Sequence, residues 1–378
     1  MKFTAERDVL AEAVTWTART LPTRPTSTVL AGVLVQACDG GELVLSGFDY
    51  EVSARVAVPC DVLTPGEVLV SGRLLADIAR SLPDRPVTFA QDGPKVTLTC
   101  GSSRFTLMTM PVEDYPARPP MPPEAGTVDA EVFAAAVNQV SIAASRDDTL
   151  PILTGVRMEM DDETVTLLST DRYRLAMREI PWRPASPGTE AVALVRARTL
   201  SEVAKTIAGG GDVTLALSTE EDSPRGLAGF SAGGRQLTSV LVDGEYPKVR
   251  ALFPAETNIY AIVQTSALIE SVKRVALVAE RNSAVRLSFT EGQLTIEAGQ
   301  GEDAQATEAL DAALHGAEIA IAFNPHFLLD GLTALGQPFV RLSFTQPSKP
   351  AVLTGQQELD GEPATAYRYL LMPVRLAG

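Results

Sequence analysis

Two histidines, His315 and His326, are all that a chain of 378 residues offers of the side chain best suited to move protons near neutral pH. Neither stands in sequence beside a nucleophile motif or a carboxylate pair. The chain has no Gly-x-Ser-x-Gly elbow, no His-Glu-x-x-His, no Walker lysine loop and no dinucleotide fingerprint. Gly209-Gly210-Gly211 follows a helix-like segment and precedes Val213-Thr214-Leu215. A phosphate loop needs a strand before it and a helix after it, so this run reads as a helix end and turn. Asp147-Asp148 follows a helix and Asp161-Asp162-Glu163 sits in a hairpin turn. Both read as solvated turn charges, not metal ligands. Cys38, Cys60 and Cys100, odd in number and widely spaced, read as buried reduced thiols in strands. No catalysis, metal or cofactor is expected.

What remains is charge. With 32 Lys and Arg against 47 Asp and Glu the formal net charge is −15, so the averaged surface repels nucleic acid and anionic membranes. Six helix-like segments, at 5–20, 72–81, 129–146, 196–206, 265–281 and 324–335, depart from that average. They hold 11 of the 32 bases but 10 of the 47 acids. The bases are Arg7, Arg19, Arg73, Arg80, Arg146, Arg196, Arg198, Lys205, Lys273, Arg274 and Arg281. Ordinary solvated helix faces would give this count, and so would helices that meet an anionic partner.

The elements that carry these residues repeat. A stripe at 0, +4, +7 and +11 occurs as Leu10, Val14, Thr17, Leu21, then as Phe133, Val137, Val140, Ala144, then as Leu268, Val272, Val275, Ala279. Such a stripe keeps to one helix face. Val70-Ser71-Gly72-Arg73-Leu74-Leu75 is echoed by Val195-Arg196-Ala197-Arg198-Thr199-Leu200 and, more loosely, by Phe323-Asn324-Pro325-His326-Phe327-Leu328, each before a short amphipathic helix. Glu113-Asp114-Tyr115-Pro116 resembles Gly244-Glu245-Tyr246-Pro247. The implied period, about 120 to 130 residues, is that of a domain and not of a solenoid.

Within the first unit, strands are expected at 28–36, 42–46, 51–59, 87–91, 95–100 and 103–108. Asp39-Gly40-Gly41 and Asp92-Gly93 supply hairpin turns. The class is α+β: three repeated domains, each with two helices packed on antiparallel sheet. The prolines between Pro116 and Pro123 mark a linker, and the expected domains are 1–120, 121–253 and 254–378. The first residues, Met1 to Asp8, carry charges where a signal peptide needs an apolar run. No apolar stretch approaches the length of a membrane span, so a cytoplasmic home is expected.

Three such units, ending in Met372-Pro373-Val374-Arg375-Leu376, closely resemble the bacterial DNA sliding clamps, the β subunits of DNA polymerase III. The resemblance covers the whole chain. Ser169-Thr170-Asp171-Arg172-Tyr173-Arg174-Leu175-Ala176, Asp243-Gly244-Glu245-Tyr246-Pro247 and Leu21-Pro22-Thr23-Arg24-Pro25-Thr26 point to the actinobacterial type. The resemblance implies the DNA-clamp fold in a head-to-tail homodimeric ring, with sheets outside and twelve helices lining a hole around double-stranded DNA. It implies a processivity factor, localised to the cytoplasm at the nucleoid, that slides without sequence specificity. An acidic exterior is then compatible with DNA inside, because phosphate contacts carry no sequence information and ring closure prevents escape.

On that resemblance the DNA-facing residues are Arg24, Arg73, Arg146, Arg196, Arg198, Lys205, Lys273 and Arg274. The family's other site is a shallow apolar pocket between the second and third domains. There the replicative polymerase α subunit, the clamp loader, and repair and translesion polymerases insert a short peptide. Its wall carries over to Leu153, Thr170, Arg172, Tyr173, Arg174, Leu175, Pro247, Leu252, Asn324, Phe327, Met372, Pro373, Val374, Arg375 and Leu376. Many clamps have Gly-His where this chain has Arg172-Tyr173, larger groups that narrow the groove or stack on a ligand. Asp147 and Pro151-Ile152 stand where some relatives place residues near single-stranded DNA, and that contact is not carried over. An alternative stays open: a specialised duplicate clamp, retained for resistance to a clamp-directed inhibitor. No membrane partner is expected.

Overall fold

The computed structural model describes residues 1–207, 210–218, 226–279, 283–299 and 304–375. Gly209, Arg281 and Leu376 lie outside the described residues. Among the described residues six α-helices follow in order: α1 (Arg7–Arg19), α2 (Gly72–Ser81), α3 (Ala130–Ser141), α4 (Ala197–Ile207), α5 (Thr265–Val275) and α6 (Pro325–Leu335). All strand pairings among the described residues are antiparallel. The repeated stripe is the buried face it was expected to be, except that Ala279 falls past the end of α5 and is only half-buried. Its one polar member, Thr17, is tolerated because its hydroxyl donates to the Ala13 carbonyl at 2.9 Å.

Contacts divide the chain into two compact units. The first holds residues 1–134, 182–189 and 198–241; the second holds 135–181, 190–197 and 242–378. The middle repeat contributes to both through its ladders. Strand Arg235–Val240 pairs with Val52–Pro59 in the first unit, and Arg174–Pro181 pairs with Ala364–Leu371 in the second.

In the first unit one 14-stranded sheet carries a core of Leu10 and Val14 from α1 and Leu75 and Ile78 from α2. These pack against Val33, Val35, Leu43 and Leu45, with Phe3 stacked on Phe89 at 4.8 Å. The alternating residues Leu34 and Leu69 belong instead to a separate cluster with Val29, Leu30, Val112 and Tyr115, on the face turned away from the helices. Close packing of α1 on α2 needs Gly72, where a Cβ would stand 2.4 Å from Leu21 Cδ1.

The second unit has a nine-stranded and a four-stranded sheet. Phe289 meets Phe344 at 5.3 Å, and Leu268, Val272, Phe323, Leu328 and Tyr369 are buried.

Several local expectations shift. Residues 28–31 form a 3₁₀ turn, and the strand runs Gly32–Cys38. Helix α3 ends at Ser141, because Ala143 and Ala144 bond to Val140 and Ser141 in tight turns and Ser145 N–H goes to the Leu153 carbonyl. Arg146 is therefore off the helix, and Arg196 closes strand Ala191–Arg196 instead of opening α4. Strands Lys2–Ala5, Asp61–Thr64 and Gly66–Ser71 were not expected. They are short, and their pairing is supplied by distant partners. The cysteines are free, but Cys38 and Cys60 are only half-buried and Cys60 is not in a strand.

Candidate functional site

The carboxylate of Asp171 organises the turn between strands Thr164–Thr170 and Arg174–Pro181. Its Oδ1 accepts the backbone N–H groups of Tyr173 (3.0 Å) and Arg174 (3.1 Å), and its Oδ2 accepts Arg174 Nε at 2.9 Å. This is an Asx-type turn, in which a short acidic side chain replaces a backbone acceptor. Thr170 Oγ1 donates to the Arg174 carbonyl (2.6 Å) and accepts the Arg172 N–H (3.2 Å). The turn holds Arg172 at φ +79°, the left-handed region that costs a residue with a Cβ about 1 kcal/mol. This is the first of the two positions at which the sequence departs from the Gly-His of many clamps.

Arg174 is the keystone. Its side chain is 7 % exposed; Nη1 donates to Asp330 Oδ2 on α6 at 2.6 Å, and the guanidinium lies 4.3 Å from the centre of the Phe327 ring. Burial alone would lower its pKa, but the surrounding Tyr369, Asp330 and Asp171 outweigh that and raise it. Phe327 is fixed from two more sides. Asn324 caps α6 by accepting the His326 and Phe327 N–H groups, and the buried Tyr369 hydroxyl donates to the Phe327 carbonyl at 2.8 Å. Tyr173, 55 % exposed, stacks on Phe327 with ring centres 6.1 Å apart. The C-terminal segment is tied in by Met372 N–H to the Tyr173 carbonyl (2.9 Å) and Val374 N–H to the Ala322 carbonyl (2.8 Å).

The result is an apolar surface on a rigid polar frame. Tyr173, Met372 and Val374 are exposed, with Tyr173 on the Phe327 ring, while Thr170 and Leu175 are buried. Leu175 shares a cluster with Tyr246, Val249, Ile152 and Phe253, which brings the segments carrying Pro247, Leu252 and Leu153 to the same region. Leu252 is exposed, and Arg172, Pro247 and Arg375 are also at the surface. All described members of the expected pocket lie in the second unit. Asp171, Asp330 and Tyr369 hold the site together yet were not assigned to it. Asp171 had a signal, three residues before Arg174, whereas Asp330 and Tyr369 are joined to it only by folding.

The basic residues fall into two groups. Lys205 pairs with Glu202 (2.6 Å), Lys273 with Glu270 (2.9 Å), Arg198 with Glu51 (3.3 Å) and Arg274 with Glu308 through two bonds of 2.7 Å. These pairs are largely exposed, so each is weakly held. Among the described residues Arg24, Arg73 and Arg146 make no ion pair. Arg73 reaches the Leu21 carbonyl at 3.4 Å, next to the loop that carries Arg24. Among the described residues no group of three or more His, Cys, Asp or Glu could hold a metal ion. His315 stacks on Tyr260 at 4.4 Å. Among the described residues no helix is long and apolar enough to cross a membrane.

Three family models match in succession: the DNA polymerase III beta subunit N-terminal domain over residues 1–119, its central domain over 127–248 and its C-terminal domain over 250–375. The chain is 58 % identical over 378 residues to the beta sliding clamp of Streptomyces coelicolor, covering 100 % of both. It is 47 % identical over 375 residues to the beta sliding clamp homolog GriR of Streptomyces muensis, covering 99 % of both. Among solved structures it resembles a Pseudomonas aeruginosa sliding clamp bound to griselimycin, with TM-score 0.90 and 27 % identity over 100 % of both chains.

Proposed function

The chain belongs to the DNA polymerase III β subunit family, the bacterial sliding clamps, and from that premise we propose how its own residues carry out the family's task. It is a DNA polymerase processivity factor built from three clamp domains, whose ring encircles duplex DNA and tethers the polymerase. The observation that carries this reading is the match of all three domains in order along a full-length relative.

The domain limits are placed at 120 and 253. Arg24, Arg73 and Arg146, free of ion pairs, make the standing phosphate contacts. Arg198, Lys205, Lys273 and Arg274 contribute by exchanging weak acidic partners for phosphate, and Arg196, at the end of its strand, adds to the same basic set. Such contacts are local and salt-sensitive, which suits sliding. The Tyr173–Phe327–Met372–Val374 surface receives the peptide of the polymerase α subunit, the clamp loader, and repair and translesion polymerases: apolar anchors enter a preformed surface, and Arg172 and Arg375 fix register. The protein acts as a tether and not as an enzyme, in the cytoplasm at the nucleoid.

For ring closure, strand Ser103–Met110 in the first unit is paired on its second side only at Thr109 and Met110, leaving an edge with exposed Phe105 and Met108. In the second unit Ala306–Asp311 ends its sheet, and Leu277 is 83 % exposed. The first domain of one copy meets the third domain of the other along these edges. The test loads the protein onto nicked circular duplex with a clamp loader, then linearises the circle. Retention on circles through high salt with loss from linear DNA is expected; salt removing it from circles refutes a topological link. The higher identity to the Streptomyces coelicolor clamp than to GriR favours this role over a specialised duplicate.

A further inference from the structure

The first unit contains a cavity of about 220 Å³. It lies on the sheet face turned from the helices, between strands that carry Leu34, Gln36, Ser46 and Arg55 and the segment that holds Val112, Tyr115, Pro116, Ala117 and Arg118. The space is large enough for several waters or one small organic molecule.

Its polar lining is unbalanced. Arg55 and Arg118 are both half-buried, both line the cavity, and among the described residues neither has a carboxylate or hydrogen-bond partner. Burial first, and then the neighbouring charge of Arg55, lowers the pKa of Arg118. Buried arginines are ordinarily paired, because an unpaired guanidinium loses hydration without recovering it. Ser46, 6 % exposed, also lines the cavity and makes no side-chain hydrogen bond among the described residues. Two acids adjoining the lining residues are engaged elsewhere. Glu67 accepts from Gln36 at 3.1 Å, and Asp49 accepts the Glu51 and Val52 N–H groups. Tyr115 accepts the Phe48 N–H at 2.7 Å and is neutral, its pKa pushed up to about 12 by burial. Leu34, Phe48, Val112 and Pro116 make the remaining wall apolar.

We propose that this cavity is a binding site for a small organic oxyanion, a phosphate or carboxylate on a compact apolar body, whose anionic group bridges Arg55 and Arg118 and accepts from Ser46. Two guanidinium forks converging on one space supply the bidentate geometry that oxyanions match. The apolar wall takes the body, and the tether of Tyr115 to the sheet keeps the segment bearing Arg118 in place. A bound anion would thereby stabilise the segment that leaves the first repeat.

The probes are phenyl phosphate and benzoate, titrated into the full-length protein by calorimetry, with thermal unfolding in parallel. Binding of at least one at millimolar concentration and a ligand-dependent rise in Tm are expected. Arg55→Gln and Arg118→Gln each weaken it about tenfold or more, the loss of one charge-assisted bond. Ligand-free, both variants are at least as heat-stable as the parent, since each relieves the arginine repulsion; a merely structural arginine would give the opposite sign. Ser46→Ala, a smaller change, weakens binding less and guards against misfolding. Which probe binds tells phosphate from carboxylate. Binding of neither probe, or binding that survives both arginine variants, overturns the proposal.

Discussion

Arg174→Ala tests the frame of the pocket most directly. The Arg174–Asp171 bond is nearly out of water, with side chains 7 % and 13 % exposed, so its loss strands a carboxylate at a cost of about 2 kcal/mol. The Asp330 bond is shorter, but Asp330 stays 46 % exposed and water replaces the guanidinium, leaving about 0.5 kcal/mol. Lifting the guanidinium from Phe327, 4.3 Å away, removes about 1 kcal/mol more. Together these make about 3.5 kcal/mol of local stability, which corresponds to easier opening of the turn by roughly two and a half decades. Amide hydrogen exchange at Tyr173 and Arg174, whose N–H groups rest on Asp171, reads this directly. Affinity for a fluorescent polymerase-type peptide should fall about tenfold or more as the Phe327 wall loosens. Asp330→Ala leaves Arg174 its Asp171 bond and its contact with Phe327, so both readings should change less than in Arg174→Ala. Equal effects from the two variants would mean that exposure does not set the strength of these bonds, and unchanged exchange in Arg174→Ala would refute the frame altogether.

Three further outcomes are expected. Neutralising Arg24 and Arg73 together to Gln should weaken DNA contact and slow loading while leaving the dimer mass unchanged, checked by crosslinking to DNA and by light scattering; removing about two phosphate contacts should also flatten the salt dependence by roughly two. Glu308 is held near pKa 2, below its ordinary 4.5, first by its hydrogen bond from Arg274. A depressed carboxylate stabilises the fold above 4.5, and that contribution is lost as pH falls from 4.5 toward 2. Its NMR titration midpoint should rise toward 4.5 in Arg274→Gln, and an unmoved midpoint would place the cause elsewhere. Met108→Asp puts a charge on the open strand edge and should yield monomers in sedimentation at concentrations where the parent is dimeric.

The three repeats, their α+β class and the apolar helix stripe were legible because they are periodic: burial of one helix face constrains residue type at fixed spacing, whatever the chain does elsewhere. The Gly40-Gly41 and Gly93 turns were legible for the same local reason, their φ values of 106°, 84° and 57° being open to glycine. The proposed peptide surface stands in the sequence only as a motif, Ser-Thr-Asp followed by Arg and Leu, and not as a geometry.

Tertiary structure decided what that motif does. Arg174 and Asp330 are 156 residues apart, and no local pattern predicts that one carboxylate on α6 receives a guanidinium from a strand. Folding also decided which bases are free. Arg274 and Arg73 look alike in a helix reading, yet only Arg274 lies within 2.7 Å of an acid, Glu308, that arrives on a separate strand. The cavity between Arg55 and Arg118 is a third case, since 63 residues and several strands separate two charges that share one space. Sequence determines which faces must be buried, because hydrophobic burial sums over many interchangeable contacts. Pairing of individual charges depends on single distances of a few ångströms, and only the completed fold sets those.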